Sequence, residues 1–187
     1  MDLRGVVAGA TVLVVAQIAM TAVMTMTPVH MRQHHRGLDA IGLVIGLHIA
    51  AMYLPSLLTG ALVDRVGRTP VAIASSVFLA LAGLAAALLD ATVASSVITL
   101  VLLGFGWNLG LITGTAMVVD ATTPATRGRV QGRVDVLVAL SGAGGGAASG
   151  VVVAMTSYGV LALLGGALAL LLVPVLAVRA GRRPRVG

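Results

Sequence analysis

Five polar or aromatic side chains interrupt long apolar runs of this sequence: Gln17, His48, Tyr53, Trp107 and Asn108. Groups that ionise or form strong hydrogen bonds are costly in hydrocarbon, so each is a candidate for a solute or proton path. An imidazole titrates near neutral pH, so His48 suits a proton relay; the alternative is a histidine bonded to a neighbouring helix. Trp107 and Asn108 either line a solute path, with an aromatic wall and an amide, or pack between helices.

Other kinds of chemistry are not indicated. His30, His34 and His35 lie close together, but three histidines without a carboxylate or cysteine in the same short loop are weak ligands for a metal site. The sequence has no phosphate-binding GxxxxGK loop, and no nucleophile stands at a recognisable spacing from a base. We therefore predict no enzyme activity, no cofactor and no metal.

The elements that carry these residues are predicted to be membrane spans. Hydrophobic residues make up 58% of the 187-residue chain, charged residues only 10%, and the mean hydropathy is +1.07. A helical span needs about 20 apolar residues. Six segments qualify, at about residues 6–29, 38–63, 71–89, 95–119, 134–156 and 160–178. Only Ser157-Tyr158-Gly159 separates the last two, so five or seven spans are the alternatives. The predicted fold class is an all-α membrane protein with six transmembrane helices.

The basic residues predict the orientation in the membrane. All twelve are arginine, and with the N-terminus in the cytoplasm ten lie on the inner side and two on the outer side. This bias follows the positive-inside rule, so we expect a multi-pass protein of the cell membrane with both termini cytoplasmic. Residues 179–187 form a basic cytoplasmic tail suited to anionic lipid headgroups. The net charge of +6 is thus explained by topology and not by nucleic-acid binding.

Glycines recur at a spacing of four within three of the predicted spans, and residues four apart share one helix face. The three sets are Gly42 and Gly46; Gly106, Gly110 and Gly114; and Gly142, Gly146 and Gly150. Such faces let two helix backbones approach closely, so we expect tight helix packing there. A local bend is also expected at the glycine run 144–146.

A short turn between the second and third spans carries the most specific pattern. It contains Gly60, Asp64, Arg65, Gly67 and Arg68. Gly67 permits a tight turn, and Asp64 can pair with an arginine or face the positive N-terminus of a helix.

A second polar stretch follows the fourth span and contains Asp120, Arg127, Arg129 and Arg133.

Both stretches resemble loops of the major facilitator superfamily. Its signature loop reads glycine, three residues, aspartate, basic, any residue, glycine, basic, basic. The residues that match in register are Gly60, Asp64, Arg65, Gly67 and Arg68. Thr69 departs from the pattern, because a second basic residue is usual there. The resemblance implies that this loop latches the cytoplasmic side and helps to switch between inward-open and outward-open states. In the family the second stretch approaches this loop, so we also expect a cytoplasmic charge cluster in which Asp64 pairs with one of the arginines 127, 129 and 133.

The resemblance covers essentially the whole chain and implies half of a twelve-span transporter, more similar to the C-terminal half. The implied activity is secondary transport of a small solute, with proton-coupled efflux as one form of it. A second copy of the chain or a separately encoded N-terminal half would complete the unit, with the lipid bilayer as its surroundings. The alternative is a truncated, non-transporting membrane protein or a regulatory helix-packing partner.

Overall fold

The computed structural model describes residues 1–174, which form seven α-helices and no strand. The helices are α1 (Leu3–Gln33), α2 (Leu38–Tyr53), α3 (Ser56–Val66), α4 (Arg68–Leu88), α5 (Val93–Asp120), α6 (Pro124–Met155) and α7 (Tyr158–Leu170). Five segments are long and apolar enough to span a membrane, with α2 and α3 counting as one, and Tyr158–Pro174 is a shorter apolar helix. The predicted all-α class is confirmed. Residues 175–178 of the sixth predicted span and the predicted tail lie outside the described residues.

The second predicted span is broken into two helices. α2 ends at Tyr53, α3 begins at Ser56, and Pro55 lies between them. Proline has no backbone N–H, so the carbonyl of Ala51 loses its usual helical donor four residues along. The break therefore follows from one residue, and the two halves still form a single apolar segment, Leu38–Val66.

The fifth predicted span begins earlier than the sequence suggested. α6 starts at Pro124 and not near Val134, so the arginine-rich stretch expected to be a loop is helical. Thr123 and Thr126 form a reciprocal capping box, and proline at the first helical position suits this start. The apolar run indicates which part of a helix lies in the hydrocarbon, whereas the capping residues indicate where the helix itself begins. α6 is a continuous α-helix through the glycine run at residues 144–146, so the run does not interrupt the helix.

The helices form two layers. α1 and α5 pack together at the centre; α2 lies against α5 and α6 lies against α1, so the first layer runs α6–α1–α5–α2. α4 and α7 pack against each other and against α5 and α1, and they form the second layer. We call the side of the first layer that faces away from α4 and α7 the open face, because no described helix covers it.

Glycine packing holds the layers together at several of the predicted positions, but not at all of them. A Cβ atom added at Gly114 would lie 2.6 Å from Leu13, and one at Gly106 would lie 3.0 Å from the backbone of Leu79. In contrast, Gly42, Gly46 and Gly150 have no described neighbour within 4 Å of such a Cβ atom. The glycines of α5 therefore have the expected packing role. The glycines of α2 have no packing partner within residues 1–174.

We predict that Gly83→Ala destabilises the chain while Gly46→Ala does not. A methyl group at Gly83 would overlap the carbonyl oxygen of Ala162 in α7, and overpacking of this kind costs about 1–3 kcal/mol. At Gly46 no atom of residues 1–174 lies within 4 Å of the methyl group, and alanine favours helix by about 1 kcal/mol over glycine. Thermal unfolding of the purified chain, followed by circular dichroism, checks this. Equal melting temperatures for the two variants would contradict it.

Candidate functional site

Arg68 joins three helices at the end of the bundle that carries Gly67. Gly67 has φ +98°, a conformation that suits glycine, and it alone connects α3 to α4. The Nε of Arg68 donates to Asp120 Oδ2 at 2.9 Å, at the end of α5. Its Nη1 lies 3.5 Å from Asp64 Oδ1 and donates to the carbonyl of Val63 at 3.3 Å, both in α3. One guanidinium thus links α3, α4 and α5.

A polar cleft of about 160 Å³ lies beside Arg68, between the start of α1 and the end of α5. Asp2 caps α1 by accepting from the N–H of Arg4 at 3.0 Å, and its own N–H donates to the carbonyl of Ala121 at 2.8 Å. The N-terminus of α1 is therefore tied to the same end of α5 that holds Asp120.

The charge cluster predicted from the sequence forms with a different arginine. Asp64 and Asp120 both pair with Arg68, and no ion pair within residues 1–174 joins Asp64 to Arg127, Arg129 or Arg133. These three arginines lie on the first turns of α6 instead. The reason is geometric: only the Gly67 turn separates Asp64 on α3 from Arg68 on α4, whereas the three arginines lie on a helix that packs mainly against α1. Arg65 is exposed, and Gly60 has open space beside it.

Asn108 lies fully buried in α5 and bonds across the break between α2 and α3. Its Nδ2 donates to the carbonyl of Met52 at 2.8 Å and to Ser56 Oγ at 2.9 Å. The hydroxyl of Thr59 donates to Asn108 Oδ1 at 2.6 Å. Both amide hydrogens and the amide oxygen are engaged, so the side chain holds the interrupted helix in place and is not free for a solute.

His48 is fully buried at the contact between α2 and α5. Its Nδ1 donates to the carbonyl of Leu100 at 2.7 Å, since a carbonyl oxygen can only accept. Its Nε2 is buried and has no hydrogen-bond partner among the described residues. Gly104 makes room for the ring, because a Cβ atom there would lie 3.0 Å from Nδ1. The imidazole thus carries an unused acceptor inside the bundle.

Gln17, Trp107 and Tyr53 meet on the open face, and we call them the Tyr53 surface. Trp107 Nε1 of α5 donates to Gln17 Oε1 of α1 at 2.9 Å. The rings of Trp107 and Tyr53 lie 6.0 Å apart in an edge-to-face arrangement. Gly142 of α6 lies beside the amide, since a Cβ atom there would be 2.8 Å from Gln17 Nε2. Four helices therefore contribute to this surface.

The sequence did not single out several residues that take part in these contacts. Ser56 and Thr59 bind Asn108, and the signal that could have found them was two hydroxyls just beyond Pro55 within an apolar run. Asp135 is an exposed carboxylate on α6, which the sequence placed at the edge of a span. At the opposite end of α1, His30 stacks on Tyr158 at 4.3 Å, and Tyr158 and Thr27 share a hydrogen bond of 2.9 Å.

Within residues 1–174 no group of three metal-ligating side chains occurs.

Comparison with known proteins gives consistent matches. The sequence model of the Major Facilitator Superfamily matches residues 9–187. The uncharacterized MFS-type transporters YdeG and YddS of Bacillus subtilis are 59% and 58% identical over 180 and 175 residues, which is 96% and 93% of this chain but 42% and 40% of theirs. The riboflavin transporter RfnT of Brucella anthropi is 40% identical over 119 residues, 64% of this chain and 30% of that protein. The chain thus spans about two fifths of the length of the first two relatives.

We predict that Asn108→Leu destabilises the region around the helix break. The substitution leaves the Met52 carbonyl and two hydroxyls without their partner, and an unsatisfied buried polar group costs about 1–3 kcal/mol. Hydrogen exchange over residues 50–60 should accelerate, and the melting temperature should fall. Thr113→Val is the matched control, because the Thr113 hydroxyl is buried and has no described hydrogen-bond partner. Protection of residues 50–60 that is unchanged in Asn108→Leu would show that the amide does not hold the break.

Proposed function

The chain belongs to the major facilitator superfamily, and we propose that it forms a six-helix half, equivalent to the second half, of a secondary transporter for a small solute. Membership makes it a multi-pass membrane protein of a transporter family and not an enzyme. The observation that carries the proposal is the open face, where side chains from three helices meet beside Gly142 of a fourth, with no described helix above them. In a complete transporter of this family, two such halves face each other across a central path.

We place the Gly67 end of the bundle in the cytoplasm of a cell-membrane protein, with both termini on that side. The support is the distribution of arginine: of the eight arginines in residues 1–174, six lie at that end of the bundle and two at the other. In this orientation Arg68 and its two carboxylate partners lie at the cytoplasmic entrance. His30, Tyr158 and the loop from His34 to Gly37 lie at the outer end of the bundle.

Arg68 is proposed as the centre of the conformational switch, with Gly60, Asp64, Arg65 and Gly67 of the same turn. Its side chain is 32% exposed, and those of Asp64 and Asp120 are 74% and 56% exposed. Exposed ion pairs contribute only about 0–1 kcal/mol, so they can break and re-form as the cytoplasmic side opens and closes. Asp120 with Arg127, Arg129 and Arg133 is proposed as the charged rim against which this turn moves.

Gln17, Tyr53 and Trp107 are proposed to line the solute path, and His48 to bind a coupled proton. The support for His48 is its buried Nε2, an acceptor without a described partner. Asn108 enters the proposal as the residue that positions Tyr53 and Trp107, because its three hydrogen bonds leave it no group for the solute. One relative is named a riboflavin transporter, so riboflavin is the first solute to assay.

Completion of the unit requires a second six-helix half, because the chain spans about two fifths of its first two relatives. We propose a two-fold pair of copies joined through the open face, an arrangement that imitates the two halves of the family. A separately encoded N-terminal half is the other way to complete it. A non-transporting or regulatory protein is the competing function, and the cross-linking result below separates the pair of copies from the other two arrangements.

For the switch, we expect Arg68→Gln to slow transport at least about tenfold while it changes stability by no more than about 1 kcal/mol, as for an exposed ion pair. Riboflavin flux into proteoliposomes and thermal unfolding measure the two effects. Arg32→Gln, at the other end of α1, is the control that removes one arginine elsewhere. Equal loss of flux in both variants, or unfolding that accounts for the loss, would argue against a switch at Arg68.

For the pairing, the absence of cysteine makes single-cysteine cross-linking direct. Gly46 lies two turns before Tyr53 on the same side of α2, with open space around it, whereas Leu84 lies in the groove between α4 and α7. In membranes, Gly46→Cys should cross-link into dimers and Leu84→Cys should not. Dimers from Leu84→Cys alone would contradict pairing through the open face. Monomers from both would favour a separate partner half or a non-transporting protein.

A further inference from the structure

Tyr53 differs from the other aromatic residues of the chain in its exposure. The chain contains five aromatic side chains of the Phe, Tyr and Trp types. Phe78 and Phe105 pack edge to face at 4.9 Å, Tyr158 is buried against His30, and Trp107 is 8% exposed. The Tyr53 side chain is 58% exposed and contacts Trp107 on the open face. An aromatic ring held in place by a second ring, with most of its surface free, is a stacking surface for another flat ring.

Gln17 presents hydrogen-bond donors next to Trp107, the residue that contacts Tyr53. The indole N–H of Trp107 can only donate, so the oxygen of the Gln17 amide must face it, and the bond of 2.9 Å fixes the amide orientation. The Nε2 therefore points away from Trp107, and neither of its hydrogens has a partner among the described residues. The absence of a side chain at Gly142 leaves the space that the amide occupies. The donors of Nε2 are suited to a carbonyl oxygen or an aromatic ring nitrogen.

Charge near the Tyr53 surface does not favour an ion. Within two turns of Gln17, Tyr53 or Trp107, the described parts of α1, α2 and α5 carry no aspartate, glutamate, lysine or arginine, and the one histidine there, His48, is fully buried. On α6, Asp135 lies seven residues before Gly142, which is about 10 Å along the helix. An ionic solute would leave water at this surface without a counter-charge, which is costly in a medium of low dielectric.

We propose that the Tyr53 surface binds a neutral, planar aromatic solute that carries a hydrogen-bond acceptor on its ring. The ring stacks on Tyr53 at the edge of Trp107, and the acceptor receives a hydrogen bond from Gln17 Nε2. The inference rests on the proposed function, because it takes the open face to be the solute-facing side. It assigns the amide contact to Gln17 and not to Asn108, whose donors are already engaged.

The single tryptophan of the chain is part of this surface, so its fluorescence reports binding there without a label. The 187-residue chain in nanodiscs is titrated with caffeine, a neutral planar heteroaromatic compound whose carbonyl groups accept hydrogen bonds. ε-Caprolactam, a cyclic amide with a carbonyl but no aromatic ring, is the matched ligand control. Caffeine should quench Trp107 fluorescence with saturation, and caprolactam should not.

Variants at Tyr53 separate stacking from partition into the bilayer. Tyr53→Phe keeps the ring and should bind caffeine within about twofold of the unmodified chain, whereas Tyr53→Leu should bind about tenfold more weakly, as expected for the loss of one aromatic stacking partner. Gln17→Met keeps the length of the side chain but removes the donors, and it should also weaken binding. Circular dichroism melts establish that each variant is folded. Quenching that is equal for both ligands, or unchanged in Tyr53→Leu, would overturn the inference.

Transport measured in parallel distinguishes this inference from the proposed function. Saturable, Tyr53-dependent caffeine binding by a chain that moves no solute supports the planar-solute site and contradicts transport by this chain. Transport of riboflavin that depends on Arg68, together with no saturable caffeine binding, supports the proposed function and overturns the planar-solute site.

Discussion

The need to satisfy backbone polar groups in hydrocarbon governs this structure. An unpaired carbonyl costs several kcal/mol where water is absent, so a break in a membrane helix requires a nearby donor. Pro55 creates such a break, and the amide of Asn108 donates to the carbonyl of Met52, which follows the Ala51 carbonyl that the proline deprives of its helical donor. Trp107 precedes Asn108 and Tyr53 follows Met52. The same hydrogen bond therefore lies next to the contact between the two rings of the open face, whose centroids are 6.0 Å apart.

The close contact between α1 and α5 supports this arrangement. A Cβ atom at Gly9 would lie 2.6 Å from the carbonyl oxygen of Gly114, so the two backbones meet with little between them. In lipid, such contacts replace the hydrophobic effect as the source of helix association, because lipid tails are as apolar as the side chains that they would exclude. This proximity is what allows Gln17 on α1 to reach the indole of α5.

Much of the fold was predictable from the sequence, because apolar runs and local turn residues are local signals. Gly67 was expected to form a tight turn, and it adopts the positive φ that such a turn needs. The start of α6 was missed because the arginines of its first turns read as a loop, whereas the threonine capping box and Pro124 set the helix start.

The contacts of the candidate site were less predictable, since they depend on how distant helices align. The sequence identified four candidate residues of this site: Gln17, Tyr53, Trp107 and Asn108. Residue types alone could not show which of them already use their polar groups in hydrogen bonds within the bundle and which could contact a solute. In the same way, Arg68 and Asp120 are separated by 52 residues, and their pairing requires the register of α4 against α5. The expected pairing of Asp64 with an arginine of α6 joined opposite charges, but the fold does not bring these side chains together.

The one-residue connection at Gly67 also has a mechanical consequence. A single residue joins α3 to α4, so we expect a tilt of α3 to displace the start of α4. α4 in turn packs closely against α7 where Gly83 meets Ala162. We therefore expect a motion at the Pro55 break to reach α7 through α4, on the side of the bundle opposite to the open face.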